Sequence, residues 1–189
     1  MSDGENTKLD LIEHFERYLG EIHKVYSGEQ PDGHIGYDLV EYHVPEPGVT
    51  WVATNGLRFQ PITTMVAQEL VCGLWDQQGH VAHHLVVSMA SLVLKNAQGF
   101  EYDRLFANDV PIVEGTSIEG VLACPNPVYG QDFDLVHDAS GKLRIQVITL
   151  VPITRAEIGF VEKEGAEMLW EVFRLNRTNI LDVTRRSAV

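Results

Sequence analysis

The chain is poor in cysteine and in basic residues, and it lacks the long apolar runs and glycine signatures that mark several common protein classes. Its two cysteines, Cys72 and Cys124, are too few for a disulfide framework and sit in apolar, strand-like contexts, which reads as reduced core thiols. With 14 basic against 27 acidic residues the net charge is -13, the wrong sign for a protein that grips phosphate backbones, so nucleic acid is disfavoured as a partner. The same sign repels anionic membrane surfaces. No run approaches the roughly 18 apolar residues of a membrane span, and the densest stretch, Val147 to Ile153, is interrupted by Thr149 and Pro152. The opening MSDGENTKLDLIEHF carries acids where a secretory signal carries basic residues, which points to the cytoplasm. No Gly-x-x-x-x-Gly-Lys, Gly-x-Gly-x-x-Gly or Gly-x-Ser-x-Gly occurs, so nucleotide-binding and serine-hydrolase readings lose their usual support and no cofactor is expected.

What is present is an ordinary globular composition, 44% hydrophobic and 22% charged over 189 residues, which predicts one domain over 1–189 with a core from about 8 to 187. The acidity is uneven. Residues 1–50 carry 11 acidic and 3 basic side chains, residues 51–153 carry 10 and 5, and residues 154–189 carry 6 of each. Such a field keeps a protein soluble, and it also enriches a cationic partner near the surface.

Helical spacing of Leu11, Ile12, Phe15, Tyr18, Leu19, Ile22 and Val25 predicts an amphipathic helix over 8–25. Gly28 to Gly36 reads as a loop, and Tyr37–Val44 and Val49–Thr54 as strands around the Pro45–Gly48 turn. Asn55-Gly56 marks a tight turn before a strand over Met65–Leu74, whose Val66, Leu70, Cys72 and Leu74 share a face. Ala82, Leu85, Val86, Met89 and Val93 form the stripe of a central buried helix over 79–95. Residues 96–117, rich in Asp, Asn, Gly and Pro, read as a long irregular connection of the kind that carries function. Strands follow at Ile118–Cys124, Phe133–His137 and Leu143–Val151, the last apolar enough for a sheet interior. Thr154 with Glu157 predicts a capping box, and Ile153 with Ile158 a hydrophobic staple. Gly165 breaks that helix, and Met168, Leu169, Val172 and Phe173 line one face of a last helix ending near Asn176. The class is α+β: a mixed, largely antiparallel sheet packed by an N-terminal, a central and C-terminal helices.

Two clusters offer chemistry. His80, His83 and His84 include an i, i+4 pair that can meet one metal ion from a single helix turn, as a metal-dependent hydrolase would need. On a wheel with Ala82 at zero, however, His80 and His84 fall at about 160° and 200°, opposite the apolar stripe, and Val81 stands where a zincin needs Glu. Asp132 with Asp134, or Asp103 with Asp109, would suit general acid/base work if folded into one cleft, although loop aspartates usually build turns.

Gly48-Val49-Thr50-Trp51-Val52-Ala53-Thr54-Asn55-Gly56-Leu57 and Glu69-Leu70-Val71-Cys72-Gly73-Leu74 resemble the strand, Gly-Leu turn and next strand of the suppressor of fused family. Leu143 to Ala188 is similar to that family in order and spacing, with Pro152-Ile153-Thr154, Glu157, Gly165 and the closing Ile180-Leu181-Asp182-Val183-Thr184-Arg185-Arg186. The resemblance implies a binding module without catalysis. Its animal member holds Gli transcription factors, and short bacterial members are regarded as immunity proteins against toxins. It further implies that Asp103, in Phe100-Glu101-Tyr102-Asp103-Arg104-Leu105, takes the place of a partner-contacting Asp, with Arg104 and Asp109 on the same loop. Tyr102 replaces the family's Gly there, Leu92 falls near the place of an aromatic partner, and the loop is about one residue longer, which counts against Gli itself. The expected partner is a protein or peptide, such as a basic toxin; the rival readings are the histidine-based hydrolase and a structural oligomeric subunit.

Overall fold

The computed structural model describes residues 11–30 and 33–189. The chain opens with α1 (Leu11–Leu19), which buries Leu11, Phe15 and Leu19. It stops six residues short of the predicted end, and residues 8–10 of that prediction lie outside the described residues. The cause is Gly20, whose left-handed φ of 86° lets the backbone pass so close to His43 that a Cβ would lie 2.2 Å from its carbonyl oxygen. Ile22 and Val25 therefore belong to β1 (Glu21–Tyr26), an edge strand on which every side chain is at least partly exposed. Between Ile22 and Lys24 the pairing of β1 with its neighbour shifts register. That bulge puts Ile22 and Val25, three apart, opposite Tyr42 and Val40, where they imitate a helical repeat. The predicted loop from Gly28 contains a small hairpin of β2 (Glu29–Gln30) and β3 (Gly33–His34), while Pro31 lies outside the described residues.

Then come β4 (Asp38–Val44), β5 (Val49–Asn55), β6 (Ala67–Trp75), α2 (Gly79–Asn96), β7 (Arg104–Ala107), β8 (Ile118–Cys124), α3 (Gln131–Asp134), β9 (Leu135–His137), β10 (Leu143–Thr154), α4 (Arg155–Glu164) and α5 (Ala166–Asn176). Among the described residues the main sheet has eight strands in the order β1-β4-β5-β6-β10-β8-β7, with β9 also pairing β10. Among the paired strands of the described residues only β6 and β10 run parallel. This is the mixed, largely antiparallel α+β architecture the sequence predicts. The interior strands are apolar on both faces because both faces are covered. On one side Leu70, Cys72 and Leu74 of β6 meet Ala82, Leu85, Val86, Met89 and Val93 of α2. On the other, Tyr42, Trp51, Val71 and Val147 meet α1 and Phe133 of α3, and Val151 and Ile153 meet Leu169 and Phe173 of α5. Gly73 sits opposite Trp51, and a Cβ there would lie within 2.5 Å of the indole ring, so the lack of a side chain is what lets Trp51 lie across the sheet.

Three local predictions change. The connection 96–117 contains β7, hydrogen-bonded to β8, and a turn closed by Ile112 N–H on the Ile118 carbonyl at 2.7 Å. The strand expected at Phe133–His137 splits into α3 and β9, because the Asp134 carboxylate turns back to accept the Asn126 N–H at 2.7 Å. Met168 faces solvent, while Leu169 and Phe173 are the buried residues of α5. Among the described residues no helix is long and apolar enough to cross a membrane.

Candidate functional site

Two of the predicted partner-binding residues, Asp103 and Arg104, follow the segment where α2 ends, and the third, Asp109, lies beyond β7. Ala97 takes a left-handed conformation (φ 49°) and its N–H closes the helix onto the carbonyls of Val93 and Leu94. Beyond it the chain is held from two sides. Thr63 donates its N–H to Ala97 and accepts that of Gly99, at 2.9 and 3.1 Å. The buried Gln68 carboxamide donates to the Phe100 carbonyl at 2.7 Å and accepts its N–H at 2.9 Å, so Phe100 is pinned as a strand residue would be. Phe100 then packs on Phe106, ring centroids 4.5 Å apart.

Tyr102 fills a gap in the sheet. β8 pairs with β10 from Thr149 onward and β9 pairs with it up to Gln146, which leaves Val147 between them; the Tyr102 hydroxyl donates to the Val147 carbonyl at 3.1 Å. Burial, aided by the nearby Asp134 carboxylate, pushes the Tyr102 phenol up to about 12, so it stays a donor at neutral pH. Asp134 is itself only 2% exposed, and burial raises its carboxyl to about 6 against the pull of the Asn126 N–H.

On this support Asp103 is exposed, with a left-handed φ of 63°, and its carboxylate makes no hydrogen bond among the described residues. Aspartate tolerates that conformation better than most residues. Arg104, first residue of β7, holds its guanidinium 5.3 Å from the centre of the Phe106 ring. Asp109 lies two residues beyond the end of β7, roughly 20 Å along the strand from Asp103 at about 3.3 Å per residue, and its carbonyl accepts a 3.4 Å hydrogen bond from Arg155. Asp103 and Arg104 thus stand together, while Asp109 marks the far end of the same edge strand.

The remaining candidates are spread out. His80 and His84 are exposed, as the wheel predicts, whereas His83 is half-buried with its ring edge-on to Tyr26 at 4.7 Å. Among the described residues no group of three or more His, Cys, Asp or Glu side chains is placed to hold a metal ion. Asp132 is exposed and Asp134 buried, so that pair does not face one cleft. Burial pushes the Cys72 thiol up to about 12 and Cys124 well above its usual value, which keeps both protonated.

Sequence reasoning missed a polar cleft of about 390 Å³ at the opposite end of α2, lined by Tyr26, Glu41, Thr50, Asp76, Gly79, His80 and His83. Its residues come from three strands, the short 3-10 turn Asp76–Gln78 and the start of α2. Only the histidine run within it gave a sequence signal.

Compared by sequence with curated proteins, the chain has no significant match. Among solved structures it is similar to a protein described as a suppressor of fused homolog from Neisseria gonorrhoeae, with 18% identity and a TM-score of 0.71 over 94% of this chain and 93% of that one. It is similar to a chain of the Sufu–Fu complex, with 11% identity and a TM-score of 0.61 over 94% and 90%. Drosophila Suppressor of Fused matches at 10% identity and a TM-score of 0.57 over 80% of this chain and 42% of that one, so the chain spans less than half of that protein. These likenesses fix the fold. The family model of the suppressor of fused protein (SUFU) matches residues 33–186, and the chain belongs to that family.

Proposed function

We propose that this chain is a non-enzymatic protein-binding domain, acting as a single unit in the cytoplasm, that holds a basic polypeptide at the rim formed by residues 97–104 and β7. The observation that carries this reading is Asp103, an exposed carboxylate without a hydrogen bond among the described residues, on a backbone held by Gln68, Thr63 and Tyr102. A fixed acceptor of this kind takes a charge-assisted hydrogen bond from Lys, Arg or protonated His with little ordering cost. The net charge of -13 adds steering toward a cationic partner. A family member is found in a complex with Fu, which supports protein binding as the activity. Within this reading the partner is a basic toxin and the chain its immunity protein.

Copurification from the native organism, followed by affinity measurement, tests the proposal. Asp103→Lys is expected to weaken binding by tenfold or more, on the order of 1.5–3 kcal/mol for a hydrogen bond to a charged group, and added salt to slow association. A partner that binds Asp103→Lys as tightly as wild type, independent of salt, would overturn it.

A further inference from the structure

The cleft at the N-terminal end of α2 carries two carboxylates, Glu41 and Asp76, beside the Tyr26 ring. Asp76, just before the helix, is fixed by three contacts: Oδ1 accepts the Thr50 hydroxyl at 2.8 Å, Oδ2 lies 2.9 Å from His43 Nε2, and its N–H donates to the Gly48 carbonyl at 3.1 Å. Glu41 accepts the Tyr26 hydroxyl through Oε2 at 3.1 Å, and its Oε1 has no hydrogen bond among the described residues. His83 turns a ring nitrogen, Nε2, into a closed-off position where nothing hydrogen-bonds it. Burial lowers the His83 imidazole below its usual value more than Glu41 raises it, with Lys24 and His84 also lowering it, so the ring adds no positive charge to the cleft at pH 7. Although slight burial opposes it, the hydrogen bonds from His43 and Thr50 hold the Asp76 carboxyl below its ordinary value, so it is charged.

Two carboxylates and an aromatic face around about 390 Å³ fit a planar cation. We propose that this cleft receives the guanidinium of an arginine side chain from a partner polypeptide, seated between Glu41 and Asp76 with its plane against Tyr26. The protein already shows the preference in miniature. Lys24 of β1 places its Nζ 4.3 Å from the centre of the Tyr26 ring, so an ammonium of the chain itself occupies the aromatic face. Arginine from outside competes with it, and its fork reaches two acceptors where the single Lys24 nitrogen satisfies neither carboxylate among the described residues. The α2 dipole opposes a cation at this end, and Asp76, three residues before Gly79, offsets it. At about 1.5 Å per residue the 18 residues of α2 put some 27 Å between this cleft and the Asp103 rim, so the two sites stand or fall separately.

The test is an NMR titration following the His83 and Tyr26 side-chain resonances with N-acetyl-arginine methylamide, agmatine and N-acetyl-lysine methylamide as probes. The blocked arginine is expected to give saturable shifts at millimolar concentration, tighter than the lysine probe. Glu41→Gln, which keeps an acceptor for Tyr26, is expected to weaken it about tenfold, and Lys24→Ala to tighten it. Asp103→Lys leaves the titration unchanged, which separates failure here from failure of the rim. Absence of saturable shifts overturns the proposal, as does binding that Glu41→Gln leaves untouched. Binding of agmatine without the blocked arginine also overturns it, since the cleft would then be a site for free polyamine-like cations.

Discussion

Two glutamates, Glu69 on β6 and Glu157 in the first turn of α4, are fully buried and each is bridged to an arginine, yet their surroundings shift their carboxyls in opposite directions. Glu157 accepts both Arg185 guanidinium nitrogens, at 2.6 and 2.8 Å, and the N–H groups of Thr154 and Ala188, at 2.8 and 3.0 Å. Burial alone would raise its carboxyl; the Arg185 hydrogen bonds and the two amides outweigh it, and the net shift is down. Glu69 accepts the Thr54 hydroxyl at 2.6 Å, the Gly56 N–H at 2.9 Å and one Arg58 nitrogen at 2.5 Å. Here burial dominates over Thr54, Gly56 and Arg58, and the net shift is up. Glu69 is the more deeply buried in the surrounding protein, and its arginine also gives it less. Arg185 is 5% exposed and gives the carboxylate two nitrogens, whereas Arg58 is 16% exposed and gives one. A buried carboxylate is stabilised by the number and enclosure of its charged donors more than by the presence of a bridge.

The largest way to break the comparison is Glu157→Gln. It strands Arg185 in a closed site and loosens the tail from Pro152 to Ala188, so a loss of about 3–5 kcal/mol is expected in urea unfolding. Glu69→Gln should cost less, about 1–3 kcal/mol, because Arg58 can turn toward solvent while the Gln oxygen still accepts the Gly56 N–H and its NH2 can donate to the Thr54 hydroxyl oxygen. Equal losses would mean that enclosure of the arginine does not matter.

The same contrast explains what the sequence made legible. Glu157 was readable because its capping box is local: Thr154 and Glu157 are three residues apart, and both reciprocal bonds form. Glu69 and Arg185 were not, since their partners come from 11 and 28 residues away. The same holds for whole elements. The α2 stripe and the apolar β10 declare themselves through burial periodicity, while the edge strand β1 mixes polar and apolar residues on both faces and β7, at four residues, is too short to show a pattern. Ile22 and Val25 even mimic a helix through a bulge that only the pairing with β4 reveals. At the rim, Asp103 is singled out only by its place in the family's order of motifs, and its support by Gln68, Thr63 and Tyr102 depends on long-range contacts that no local spacing encodes.

The smallest effect is also the sharpest, because it concerns sign. Both glutamates have an ordinary value of 4.5. Glu157 is depressed in the folded chain, so its contribution is present above 4.5 and lost as pH falls through its folded value. Glu69 is raised, so its contribution is fully present below 4.5 and lost as pH rises through its folded value. The cost of Glu157→Gln is therefore expected to shrink on acidification, and the cost of Glu69→Gln to shrink on the alkaline side. Urea midpoints of wild type and both variants, compared at acid and neutral pH, read this directly: the two difference curves should slope in opposite directions. Parallel slopes would show that Arg58 charges Glu69 as fully as Arg185 charges Glu157, and that its partial exposure costs it nothing as a counter-ion.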